Sequence, residues 1–75
     1  MDEPVFADSA LKHGLTRNAI LHAFRNPNRA SDLGDGMTML IGRAPKADLL
    51  EVVAISGNEA RVIVHAMPAG QRFLH

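Results

Sequence analysis

The spacing of apolar residues predicts one amphipathic helix in the first half of the chain. Within residues 17–25, Ile20, Ala23 and Phe24 recur at helical spacing, so that one stripe of the helix would be buried. Thr16 is a favourable N-cap residue just before this stretch, and Pro27 prevents the helix from continuing. We therefore expect a helix over residues 17–25.

A shorter helical segment is expected before it, at residues 7–13. Gly14 follows this segment and can adopt the left-handed conformation that often ends a helix. The sequence therefore predicts two short helices in the N-terminal third of the chain.

After Pro27 the pattern changes to one typical of a sheet. Strands are predicted at residues 29–33, 37–43, 48–56 and 60–67, separated by turns at 34–36 and 57–58 and a loop at 44–47. Two helices followed by three or four strands predict an α+β fold, with the helices packed on one face of an antiparallel sheet. We expect one domain over residues 1–75.

The alternation of side chains along the last two strands predicts which residues share a face. A two-residue turn at 57–58 would place Arg61 and His65 on one face, and Glu51 on the other, which is otherwise apolar. The apolar face is expected to pack under the helices. On this register Glu51 does not meet His65, although a slip of one residue would exchange the faces of one strand.

Composition narrows the class of protein. The chain has 75 residues, of which 47% are hydrophobic, and it has no cysteine, which indicates a small globular domain without disulfides. The formal net charge is zero, so there is no overall attraction to nucleic acid. An acidic N-terminus and the lack of a long apolar run favour the cytoplasm.

Several kinds of site are disfavoured by spacing. The histidines show no pairing of the kind found in helical zinc sites, so no metal is expected. The glycines at 34–36 precede a strand and not a helix, which argues against a nucleotide-binding loop, and no cofactor is expected. Serine and cysteine hydrolases are disfavoured because cysteine is absent and no serine lies in a nucleophile elbow.

The remaining candidates are histidines and cations suited to RNA cleavage. The set comprises Lys12, His13, Arg43, Arg61, His65 and Arg72. Histidine can take or give a proton near neutral pH, and arginine can hold a phosphate with two hydrogen bonds. Structural explanations also exist, because cations stabilise a helix C-terminus and a strand histidine can simply be packed.

The order of short motifs along the chain adds a resemblance to a known family. The elements are Lys12-His13-Gly14, a helix closing at Asn26-Pro27, Gly42-Arg43, the strand segments at 49–53 and 61–66, and Arg72-Phe73. In this order, from residue 10 to residue 73, they resemble the BrnT-like toxins of bacterial type II toxin–antitoxin systems, within the RelE-like group. The resemblance implies a compact RelE-like α+β fold.

The resemblance also implies a function and a partner. BrnT-like toxins inhibit translation by cleaving RNA without a metal, and a cognate DNA-binding antitoxin of the ribbon-helix-helix or helix-turn-helix type neutralises them. As hypotheses within the set, Arg43, Arg61 and Arg72 would bind phosphate. Proton transfer would fall to His65 with Lys12 or His13.

Two departures from the family pattern mark this chain as a divergent member. The family follows its last core strand with several arginines, whereas residues 66–72 contain a single one, Arg72. The N-terminal Trp-Asp strand is not evident, and only Val5-Phe6 could replace it. Two alternatives therefore stay open: a non-catalytic module that binds an antitoxin or another protein, and a small oligomeric structural domain. A toxin could also form oligomers with its antitoxin.

Overall fold

The computed structural model describes residues 3–46, 48–57 and 59–69, which form a mixed sheet partly covered by helices on one face. The elements are β1 (Val5–Phe6), a 3-10 helix (Asp8–Leu11), α1 (Arg17–Arg25), β2 (Pro27–Gly34), β3 (Met37–Arg43), β4 (Leu49–Ser56) and β5 (Arg61–Pro68). The strand order is β1-β5-β4-β3-β2, and β1 lies parallel to β5 while the other pairs are antiparallel. Within the described ranges, no helix is long and apolar enough to cross a bilayer.

The predicted RelE-like fold, two helices on a three- to four-stranded antiparallel sheet, is wrong. The first helical segment forms only the short 3-10 helix, because a stretch of this length gains too few hydrogen bonds to offset the cost of nucleating an α-helix. Val5 and Phe6 pair with Val62 and Ile63, which adds a fifth strand and makes the sheet mixed.

Helix α1 has the bounds that its sequence predicts. The Thr16 hydroxyl accepts a hydrogen bond from the Ala19 N–H at 3.1 Å, which caps the N-terminus. At the other end, the Asn26 N–H donates to the carbonyls of His22 and Ala23, and the Asn26 side-chain amide also donates to His22. These bonds satisfy backbone groups that the last turn would otherwise leave unpaired.

The core lies between the helices and one face of the sheet. Its buried members are Ala10, Ile20, Ala23, Ala44, Leu50, Val52, Ala54, Ile63 and Ala66. Because Leu50, Val52 and Ala54 alternate along β4, the helix-covered face is the one opposite Glu51. The expectation that the helices cover the Glu51 face is therefore wrong.

The hairpin of β2 and β3 extends the sheet away from this core. Asp35 and Gly36 both have positive φ, as in the two-residue turns that join twisted antiparallel strands. Every residue of β2 is exposed. This strand therefore adds little to the buried core.

Candidate active site

The register of β4 and β5 changes at a β-bulge. Ser56 pairs with Arg61 and Ala54 with Ile63, but Val53 pairs with His65. One residue of β5, Val64, is therefore extra, as in a β-bulge. The bulge changes which residues of β5 share a face with those of β4.

The turn before β5 also differs from the prediction. The Gly57 N–H donates to the Ala60 carbonyl at 3.0 Å, and Ser56 faces Arg61 and not Glu59. The predicted two-residue turn at 57–58 is therefore wrong, and its second residue, Asn58, lies outside the described residues. A longer turn moves the register by two residues, which by itself preserves the faces.

The bulge separates two candidates that were expected on one face. Arg61 lies on the helix-covered face, because its partner Ser56 is in phase with Ala54. His65 lies on the opposite face with Val53, and therefore with Glu51. The prediction that Glu51 and His65 cannot meet fails because a register shift of one residue, here a bulge, exchanges the faces.

Glu51 and His65 form a hydrogen-bonded pair. The imidazole Nε2 lies 2.8 Å from the Glu51 Oε2, and the side chains are 12% exposed for Glu51 and 29% exposed for His65. Because a carboxylate can only accept, the proton belongs on Nε2. In the neutral ring, Nδ1 then holds the lone pair and can accept a proton.

A second histidine contacts this pair through its ring. The ring centroids of His13 and His65 are 5.7 Å apart, and the planes meet at 81°, an edge-to-face arrangement. His13 follows the 3-10 helix, and Gly14 ends that turn with a φ of 81° and an N–H bond to the Leu11 carbonyl. Lys12, the exposed C-cap of the 3-10 helix, is its neighbour in the chain.

The other predicted cations are placed differently. Arg43 is exposed at the end of β3 and pairs with Leu49, so it shares the sheet face of Glu51. Its carbonyl accepts a hydrogen bond from His22 Nδ1 at 2.7 Å. The Arg61 guanidinium stacks over the Phe24 ring, 4.9 Å from its centroid, on the opposite face.

Arg72 lies outside the described residues, so its predicted role stays a prediction. The described part of the chain thus brings together His13 and His65, with Lys12 adjacent in sequence, and it separates Arg61 from them. Glu51 was not predicted to belong to this site, because the expected register placed it on the other face of the sheet from His65. The signal that could have found it is one acidic residue inside an otherwise apolar strand, because a buried carboxylate needs a partner.

Comparisons with protein-family models, with curated proteins and with solved structures find no match for this chain.

Proposed function

We propose that this protein is a divergent BrnT-like toxin of a bacterial type II toxin–antitoxin pair, which inhibits translation by cleaving RNA. The observation that carries the proposal is the cluster of Glu51, His65 and His13, in which one imidazole is held by a carboxylate and a second lies against it. This arrangement supplies two imidazoles, and imidazole is the side chain that most often serves as a general base or general acid.

The proposed reaction begins with His65. Its Nδ1 takes the proton of an RNA 2′-hydroxyl, and the 2′-oxygen attacks the adjacent phosphorus. The bond from phosphorus to the 5′-oxygen breaks, and protonated His13 gives its proton to that oxygen, with Lys12 as the alternative donor. Glu51 holds the ring orientation and stabilises the imidazolium that forms, so it supports the base without touching the substrate.

Negative charge on the phosphate needs a cation on the same side of the sheet. Arg43 meets that condition because it shares the face of Glu51, and its planar fork suits a phosphate. Arg72 keeps its proposed role on phosphate. Arg61 is removed from this role by its position on the other face, over Phe24. No step of this scheme requires a metal or a cofactor.

The proposal includes a partner and a location. A cognate DNA-binding antitoxin, of the ribbon-helix-helix or helix-turn-helix type, would neutralise the toxin, as the family resemblance implies. Both would act in the cytoplasm, where the RNA substrate is. The zero net charge means that any attraction to RNA comes from local cations, which makes binding dependent on salt.

A non-catalytic protein-binding module is the second candidate. The placement of Arg61 favours it, because a phosphate site built from several arginines would draw them to one face, whereas Arg61 faces away from His65. In that case the Glu51–His65 pair would serve the structure alone. Activity measurements on purified protein separate the two candidates.

The test combines growth with RNA cleavage by the purified protein. We expect induction of this chain alone to arrest a bacterial culture, and His65→Ala to abolish both arrest and cleavage. Arg25→Ala is the matched control, because Arg25 is an exposed helix residue whose guanidinium lies 3.6 Å from Glu3. Normal growth with abundant folded protein, together with intact RNA in the purified assay, would give first place to the binding module.

A further inference from the structure

A serine from the 3-10 helix contacts the β-bulge directly. The Ser9 hydroxyl donates to the carbonyl of Val64 at a distance of 2.5 Å, across 55 positions of sequence. Val64 is the extra residue of the bulge between β4 and β5. The hydrogen bond therefore joins the N-terminal segment to the point where the register changes.

This bond satisfies a backbone group at a disrupted point of the ladder. A bulge leaves its extra residue out of the regular pairing, so that its backbone groups take partners outside the ladder. The parallel pairing of β1 ends just before, where the Ala7 N–H donates to the Ile63 carbonyl at 2.9 Å. The Ser9 hydroxyl thus makes the next hydrogen bond along the edge of β5, where the backbone pairing with β1 ends.

The 3-10 helix is itself anchored, which fixes the hydroxyl in place. Ala10, the residue after Ser9, is fully buried in the core. The Ala10 N–H also bonds to the Ala7 carbonyl at 3.0 Å. Ser9 therefore presents its hydroxyl to Val64 from a segment that cannot move without exposing a core side chain.

The bulge decides which face His65 occupies. Without the extra residue, the alternation that places Ile63 on the helix-covered face would also place His65 there, away from Glu51. The same 3-10 segment leads into His13, whose ring lies against His65. One short segment therefore both holds the bulge and brings the second histidine.

We propose that Ser9 is a positioning residue, whose hydrogen bond to the Val64 carbonyl holds the bulge that presents His65 to Glu51. Its effect on RNA cleavage rests on the function proposed above. Its effect on the geometry of His65 does not, and can be measured without RNA.

The experiment compares Ser9→Ala and Ser9→Thr with the natural chain. Nitrogen NMR of the imidazole rings reports which nitrogen of His65 carries the proton, with the His65→Ala protein used to assign the signal. Ser31→Ala is the matched control, because Ser31 is an exposed serine on the strand at the other end of the sheet. Unfolding by urea is measured for every variant.

We expect Ser9→Ala to fold but to lose the fixed Nε2–H form of His65. RNA cleavage should fall by as much as about 100-fold, since a displacement near 1 Å can cost that much. Ser9→Thr keeps the hydroxyl, so it should retain both the Nε2–H form of His65 and the rate of RNA cleavage. Ser31→Ala should change neither of these.

An Nε2–H signal that persists unchanged in folded Ser9→Ala would overturn the proposal. A further outcome is that the Nε2–H signal is lost in Ser9→Ala and present in Ser9→Thr while neither the natural chain nor any variant cleaves RNA. That result would support the positioning role of Ser9 and reject the proposed nuclease activity. A loss of stability alone, with the tautomer unchanged, would reduce Ser9 to a structural contact and also reject the proposal.

Discussion

Gly42 lies where helix α1 approaches the sheet most closely. A Cβ atom at this position would collide with the backbone carbonyl of Ala23, which a side-chain rotation cannot relieve. We expect Gly42→Ala to lower the free energy of unfolding by about 1–3 kcal/mol, as other overpacking changes do. Urea unfolding measures the loss, and Ser31→Ala, on exposed β2, should stay within about 0.5 kcal/mol of the natural chain.

Ile63 is a fully buried side chain of β5 on the helix-covered face. It is 0% exposed and is among the largest side chains in the core. Ile63→Ala should therefore cost about 2–5 kcal/mol, because it removes buried methyl groups and leaves a cavity. Leu33→Ala is the control, since Leu33 is 47% exposed, and an equal loss in both would contradict this account of the core.

For single residues, the sequence predicted which side chains belong to the candidate site better than it predicted the sheet face on which each one lies. The candidates His13 and His65 do lie together, yet the partnership of His65 with Glu51 depends on one extra residue in β5. Apolar alternation does not show a bulge here, because residues 62–64 are all apolar and their pattern does not mark either face of the strand. The identity of the carboxylate partner was therefore beyond what the strand pattern could predict.

Helix α1 depends on its cap as well as on its buried stripe. With nine residues it is too short to be stable in isolation, so that its first-turn hydrogen bonds matter. Thr16→Ala removes the acceptor for the Ala19 N–H and should cost about 1 kcal/mol in urea unfolding. Thr16→Ser keeps the hydroxyl, and a serine variant as weak as the alanine variant would rule out capping as the cause.

Elements defined by local signals were predictable, and those defined by distant partners were not. The bounds of α1 and of β3 agree with the sequence pattern, because a cap, a proline and a glycine turn mark their ends. β1 has only two residues and exists through its pairing with β5, a contact that no local pattern encodes. That pairing is also the reason why an entirely antiparallel sheet was wrong.

For the whole molecule, stability should be unevenly distributed across the sheet. β4 lies in the middle of the strand order and carries the buried residues Leu50, Val52 and Ala54, whereas all of β2 is exposed. Amide hydrogens of β2 should therefore exchange through local opening, and those of β4 only near global unfolding. Native-state hydrogen exchange measures this, and equal protection in both strands would contradict the description of β2 as a weakly held edge.

The parallel pairing of β1 with β5 also constrains when the protein can fold during its synthesis. β1 is made first among these strands, but its partner follows all the others in the chain. Until β5 leaves the ribosome, α1 lacks the core residues Ile63 and Ala66 on which the helix-covered face is built. The pairing of β1 with β5 is expected to form late in folding, because it joins segments that are far apart in the sequence. The nascent chain therefore carries Ser9 and His13 long before the bulge and His65 exist, and the contacts among these residues can form only after β5 has emerged.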